Sequence, residues 1–176
     1  MIRPMQQSDG PTVIDIYVFG LNTRNATFET EAPSWKNWDK KHLLHSRFVY
    51  EHQGVVAGWA ALTPVSTRDV YRGVAEVSVY IAENYLGRDI GSQLMQKVIN
   101  ASEANGIWTL YSSLFPENTA SVKLHQRFGF RKIGIRERIA QLDGIWKDTL
   151  IMERRSRVVG TKLGDRSGKE NGFQQT

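Results

Sequence analysis

The sequence predicts one α/β (α+β) domain with seven strands and four helices in the order β-α-α-β-β-β-α-β-α-β-β. Three observations predict it. Stretches of period-two alternation recur beside stretches whose apolar residues fall three and four apart. The breaks between them carry turn chemistry: Gln53-Gly54, Gly106, Gly129 and Asp143-Gly144. The length, 176 residues, suits a single domain that buries roughly 70% of its unfolded surface.

The elements follow in order. Ile2–Pro4 reads as a short first strand. Ser8 is a candidate N-cap for a helix through Phe19, with Val13, Ile16 and Tyr17 on one face. Residues 21–33 lack periodicity and read as a loop. Ser34 then caps a second helix through His45, with Trp35, Trp38 and His42 on one side. Arg47–Glu51 and Val55–Thr63, joined at Gln53-Gly54, form a hairpin. Val74–Ala82 alternates Val77, Val79 and Ile81 against Glu76, Ser78 and Tyr80, a strand with two distinct faces. Gly91–Asn105 places Leu94, Met95, Val98 and Ile99 at helical spacing, and Gly106 ends the helix. Trp108–Leu114 is a strand, and Asn118–Phe128 a helix closed by Gly129. Phe130–Leu142, the Asp143-Gly144 turn and Ile145–Met152 make a terminal hairpin. The domain is drawn at 1–153, and residues 154–176 read as a basic, glycine-containing flexible tail.

Composition narrows the function. The net charge is +5, but the tail holds six Lys/Arg against two acids, and the domain 17 against 16. A nearly neutral domain argues against a nucleic-acid reader, which carries its basic surface on the folded part. There are no cysteines, so disulfides, thiolate metal sites and cysteine nucleophiles are excluded. His42, His45 and His52 show no metal-ligand spacing, and no metal is expected. No apolar run reaches the ~18 residues of a membrane span, and the first residues carry no signal core. The expected location is cytoplasmic. A hydrolase elbow, Gly-x-Ser-x-Gly, is absent.

The chemistry concentrates where strand 74–82 passes through Glu83-Asn84-Tyr85-Leu86-Gly87-Arg88-Asp89-Ile90-Gly91-Ser92 into a helix. A glycine-bearing turn entering a helix presents free N–H groups and the positive dipole end to a phosphate. Such turns are also often purely structural. The turn, the later Asn118 helix and its Phe128-Gly129-Phe130 exit resemble the GNAT superfamily of acetyl-CoA-dependent N-acetyltransferases. Within it, Asn25-Ala26-Thr27-Phe28-Glu29-Thr30, Ala75-Glu76-Val77-Ser78-Val79-Tyr80-Ile81, Lys123-Leu124-His125-Gln126-Arg127-Phe128-Gly129-Phe130 and Asp143-Gly144-Ile145-Trp146-Lys147-Asp148 resemble the phosphinothricin and methionine-sulfone N-acetyltransferase group.

The resemblance implies a fold, a cosubstrate and a site. The fold is a central mixed, mostly antiparallel twisted sheet flanked by the helices. Acetyl-CoA would lie along Val77, Val79, Tyr80 and Ile81, on the turn Gly87, Arg88, Asp89, Ile90, Gly91 and Ser92, and against Asn118 and Ser121. Leu86 and Asp89 depart from the family's Gln/Arg-x-x-Gly-x-Gly/Ala pattern. A carboxylate beside a pyrophosphate is repulsive, and Arg88 is placed to offset it. Glu76 is the implied general base, aided by His125. The plain alternatives are a salt-bridged strand residue and a packed histidine. Asn118 suits an N-cap whatever else it does. Phe28, Glu29, Tyr71 and Arg72 fall at the acceptor pocket, where Arg72 either clamps an oxyanion or is an ordinary surface arginine.

The expected activity is direct acetyl transfer to the amine of a small amino-acid-like acceptor of the phosphinothricin, methionine sulfone/sulfoximine or arsinothricin type. Such transfer serves antibiotic and herbicide resistance, and a homodimer is expected. Two readings compete. One changes the acceptor to a protein N-terminus, a lysine or a polyamine. The other is a non-catalytic acyl-CoA-binding module, which the departures at Leu86 and Asp89 favour.

Overall fold

In the computed structural model, which describes residues 1–161, the strands join into one seven-stranded sheet of order β1-β2-β3-β4-β5-β7-β6. The elements are β1 (Ile2–Pro4), α1 (Gly10–Asn22), α2 (Trp35–Lys41), β2 (Phe48–His52), β3 (Val55–Pro64), β4 (Val74–Ile81), α3 (Ile90–Ala104), β5 (Thr109–Leu114), α4 (Thr119–Arg127), β6 (Arg131–Leu142) and β7 (Ile145–Arg155). Every pairing is antiparallel except β4 with β5. That parallel pair needs a crossover, and α3 supplies it.

The two tight hairpins follow from turn chemistry. Gln53 and Gly54 (φ 50° and 78°) and Asp143 and Gly144 (φ 50° and 78°) are left-handed at both central positions, the geometry that matches strand twist. The sheet then buries both faces. On one, Ala75 and Val77 of β4 pack with Leu94, Met95 and Val98 of α3, Val122 of α4 and Phe130. On the other, Val13 and Ile16 of α1 and Trp38 of α2 close over Val49, Trp59 and Ala61.

α1 and α2 are positioned by aromatic and charged contacts. Trp35 stacks on Trp38 (5.0 Å, 15°), Trp38 meets Trp59 edge-on (5.3 Å), and Trp59 stacks on Tyr80 (4.8 Å, 21°). Gly20 sits so close to this ring that a Cβ there would fall 2.5 Å from it. Buried Asp9 accepts both nitrogens of the Arg3 guanidinium fork (2.8 and 2.9 Å) and the Gln6 N–H (2.7 Å). Arg3 also binds Glu51 (2.7 Å), so β1, β2 and the entry to α1 form one network.

Four boundaries differ from expectation. α1 runs past Phe19 to Asn22 and takes in the first two residues read as loop. Ser8 does not cap α1; it lies in the 3-10 turn Gln7–Asp9, and Asp9 takes the cap position with its carboxylate committed to Arg3 and Gln6. α2 begins under Ser34, whose hydroxyl accepts from Asn37 N–H (3.3 Å), but stops at Lys41 rather than His45. His42 turns extended, its ring lies on Trp38 (3.8 Å, 20°), and its Nδ1–H donates to the Trp38 carbonyl (2.6 Å). A side chain thus replaces the next backbone bond. β7 continues through Arg155, two residues past the boundary drawn at 153. The Arg155 guanidinium donates to the carbonyls of Trp108, Val159 and Gly160 (each 2.8 Å). Residues 162–176, the larger part of the segment read as a flexible tail, lie outside the described residues. Among the described residues no helix is long and apolar enough to cross a membrane.

Burial pushes His42 from its ordinary 6.5 down to about 4. The unfolded chain therefore takes up this proton at higher pH than the folded one. The contribution to stability is complete above pH 6.5 and is lost as pH falls toward 4. Between pH 7.5 and 5 it amounts to roughly 2 kcal/mol. Urea unfolding at those two pH values is expected to show that loss, and His42→Phe to lose markedly less; equal slopes in both proteins would mean another group titrates.

Candidate active site

β4 and β5 pair only at Val74↔Thr109, Ala75↔Leu110 and Glu76↔Tyr111. Past that point they part. β3 holds the outer edge of β4 to its end, from Ala75 to Ile81. β7 holds the outer edge of β5 over Thr109–Leu114. The edge of Val77–Ile81 that faces β5 is therefore left without a strand partner. Unpaired backbone polar groups require some acceptor or donor, so this gap suits an extended amide-bearing chain. Val77, Val79, Tyr80 and Ile81 all lie on it. Val77 faces the α3 side and Tyr80 the other.

At the end of β4 the chain makes the turn expected for phosphate. A cleft of about 350 Å³ is lined by Ile81, Gly87, Arg88, Gly91 and Ser92 on one wall and by Ala120, Lys123, Leu124 and Arg127 of α4 on the other. Asp89 and Ile90 also line it. Among the described residues the N–H groups of 87–92 have no backbone acceptor. Gly87 and Asp89 are left-handed (φ 74° and 58°), and Asp is among the residues that tolerate this. A Cβ on Gly91 would make only ordinary contact with Leu124 (3.5 Å), so packing alone does not demand a glycine there. Free N–H groups, a helix N-terminus and Arg88, Lys123 and Arg127 fit a pyrophosphate. The cleft and the gap together fit CoA. Asp89 does not stand bare, because its Oδ1 accepts from Arg127 (3.1 Å).

Glu76 stands where the strands part, half-buried, with no hydrogen bond or ion pair among the described residues. Desolvation holds its carboxyl above the usual carboxylate range, with Lys41 opposing weakly. Burial also raises the phenols of Tyr80 and Tyr17, and the Glu76 charge adds to this. His125 is 3% exposed in α4. Its Nδ1 lies 2.8 Å from the Ser121 carbonyl, which only accepts, so Nδ1 carries the hydrogen. Nε2 is then a buried lone pair with no donor. Desolvation lowers its pKa, which favours the neutral ring. No hydrogen bond joins His125 to Glu76. Glu76 lies on the α1–α2 face of β4, whereas α4 packs through Val122 on the α3 side.

Asn118 does cap α4: its Oδ1 accepts from Ser121 N–H (3.2 Å). Its Nδ2 donates to the Asn25 carbonyl (2.9 Å), which ties the 23–33 loop to α4. Phe28 of that loop meets Phe115 edge-on (4.9 Å), and Glu29 is exposed beside it. Tyr71 and Arg72 lie elsewhere, in and just after the 3-10 turn that precedes β4. Arg72 makes an exposed pair with Asp69 (3.0 Å) and lies over Trp108. Arg68 was not singled out in the sequence. It has no carboxylate partner among the described residues, and its guanidinium lies over the Tyr71 ring (5.4 Å). The only signal in the sequence is its spacing, three residues before Tyr71.

A sheet that opens at a carboxylate, beside a cleft at a helix N-terminus, has the features that a CoA-dependent acyltransferase needs. The chain belongs to the acetyltransferase (GNAT) family, whose sequence pattern matches residues 15–130, and it is an acetyl-CoA-dependent N-acetyltransferase of that family. It is 32% identical to the L-methionine sulfoximine/L-methionine sulfone acetyltransferase of Pseudomonas aeruginosa, over 86% of this chain and 92% of that one. It is 29% identical to the phosphinothricin N-acetyltransferase of Streptomyces viridochromogenes, over 87% and 86%. Among solved structures, the ribosomal-protein-alanine N-acetyltransferase of Brucella melitensis superposes with a TM-score of 0.82 at 26% identity, covering 89% of this chain and 99% of that one.

Proposed function

We propose that the protein acetylates the α-amino group of a small amino-acid-like acceptor of the phosphinothricin, methionine sulfone/sulfoximine or arsinothricin type. The observation that carries this reading is Glu76, a desolvated carboxylate without a partner at the point where β4 and β5 part. An ammonium cannot attack a thioester. Glu76 takes its proton, directly or through water, and a raised pKa makes it the stronger base. The freed lone pair attacks the thioester carbonyl carbon; the C–N bond forms, the C–S bond breaks, and the second N–H proton passes to the departing sulfur, which leaves as the CoA thiol. His125, neutral and buried on the opposite face of the sheet from Glu76, is left out of this proton transfer. Two relatives named for phosphinothricin and methionine sulfone support the acceptor class. Arg72, whose pair with Asp69 is solvent-exposed and easily shared, and Arg68 over the Tyr71 ring are the cations offered to an anionic group of the acceptor, and Phe28 and Glu29 belong to the loop side. A cytoplasmic detoxifying role fits this chemistry, because acetylation removes the charge that a target enzyme would recognise.

A protein N-terminus is the second acceptor, favoured by the likeness to the ribosomal-protein-alanine enzyme. Thiol release from acetyl-CoA with methionine sulfone, phosphinothricin, a polyamine and an N-terminal peptide separates the readings. Turnover on the amino-acid analogues alone is expected; turnover on the peptide or polyamine alone replaces the proposed acceptor, and acetyl-CoA binding without turnover on any acceptor points to the non-catalytic module. Glu76→Gln is expected to lower kcat by roughly 10²-fold or more. It should also abolish a rise of activity with pH through an ionisation above the usual carboxylate range. With phosphinothricin as acceptor, loss of the clamping arginine, tested as Arg68→Ala and Arg72→Ala in turn, should raise KM at least tenfold; no change in either variant removes the clamp from the proposal.

A homodimer through the terminal hairpin completes the proposal. β6 is the sheet edge and carries exposed Ile133, Ile135 and Ile139, with Ile145 and Trp146 (56% exposed) on β7. These exposed isoleucines and the tryptophan form an apolar patch, interspersed with charges on β6, of the kind that a partner covers. Light scattering is expected to give twice the chain mass, and Ile135→Glu with Trp146→Glu to give the monomer.

A further inference from the structure

Asp89 occupies a position where the phosphate turn tolerates a negative charge poorly, and the structure shows what answers it. Arg127 of α4 reaches across the cleft. Its Nη1 donates to Asp89 Oδ1 and to Ser92 Oγ, each at 3.1 Å. Nη2 and Nε have no acceptor among the described residues, so most of the guanidinium's five donors are unspent. Arg127, Asp89 and Ser92 line the 350 Å³ cleft and also a second groove of about 630 Å³, which runs along Gln93, Gln96, Lys97 and Asn100 of α3. The trio therefore stands where the two hollows meet. As a device for stability it is poor: the side chains are 65% and 58% exposed, and such pairs contribute little. A weak ion pair at the mouth of a phosphate cleft is instead easily shared with an anion.

We propose that Arg127 is a ligand of the CoA pyrophosphate, held in place by Asp89, and that it neutralises Asp89 so that the turn admits the cofactor. This rests on the reading of the turn as the acetyl-CoA site. Asp89 contributes its backbone N–H and positions the guanidinium; Arg127 bridges its carboxylate and the phosphate. Removing Arg127 then does two things. It takes away a phosphate ligand, and it leaves a bare carboxylate beside two negative phosphates.

Calorimetric titration of acetyl-CoA into the native protein, Arg127→Ala, Asp89→Gly and the double variant separates those effects. All four are expected to melt alike, since both side chains are exposed. Arg127→Ala is expected to weaken binding roughly tenfold or more. Asp89→Gly should tighten it a few-fold, and in that background Arg127→Ala should cost only about threefold. Equal penalties in both backgrounds, or none in the native one, overturn the proposal and leave an ordinary surface ion pair. The same series with 3′-dephospho-acetyl-CoA assigns the phosphate. An unchanged Arg127→Ala penalty supports the pyrophosphate; a penalty that vanishes places Arg127 on the 3′-phosphate and overturns it. Failure of the native protein to bind acetyl-CoA at all is a separate outcome, which refutes the cofactor site itself.

Discussion

The short parallel contact between β4 and β5 governs everything around it. Only three residues of each strand pair, because each strand answers to a different neighbour. β3 draws β4 along one line and β7 draws β5 along another. A sheet normally satisfies its backbone groups by closing such gaps. Here the gap stays open, and α3 and α4 stand over it with their N-termini at the same end. The strand edge, the cleft and Glu76 all follow from that one separation.

The opposite face keeps the gap from collapsing. Tyr80 is trapped between Gly20 of α1 and the Trp59 ring, and Trp59 is braced by Trp38. β4 cannot roll toward β5 without disrupting a close-packed aromatic column. The Arg3–Asp9–Glu51 network fastens the far edge of the same layer. A rigid wall on one side and a mobile cosubstrate on the other is how a site is kept pre-organised.

How much of this was readable from the sequence depends on the range of the interaction. Alternation at Val77, Val79 and Ile81 against Glu76, Ser78 and Tyr80 located β4 and both its faces, because period-two patterns record burial residue by residue. The turns at Gln53-Gly54 and Asp143-Gly144 were legible because two left-handed positions in succession need particular residues. Ser8 misled, since a cap motif is local while the Asp9 carboxylate was claimed by Arg3. The Arg72–Asp69 pair and the Arg68–Tyr71 contact are choices among neighbouring side chains, which residue type alone does not announce. The partner of Asp89 lies 38 positions along the chain. No pattern within the turn announces it, which is why the charge at Asp89 looked like a defect.

The hook that Arg155 makes on Val159 and Gly160 also sets a direction. It fastens the end of β7 beside Trp108, at the start of β5. The Gly87–Ser92 turn leaves the finish of β4, which runs parallel to β5. Eight residues of strand at ~3.3 Å each put roughly 25 Å between the two. An affinity tag, dye or immobilising linker placed directly after Thr161 would therefore start from the remote pole of the sheet, so a biosensor built on this enzyme can be anchored there with its cleft turned outward.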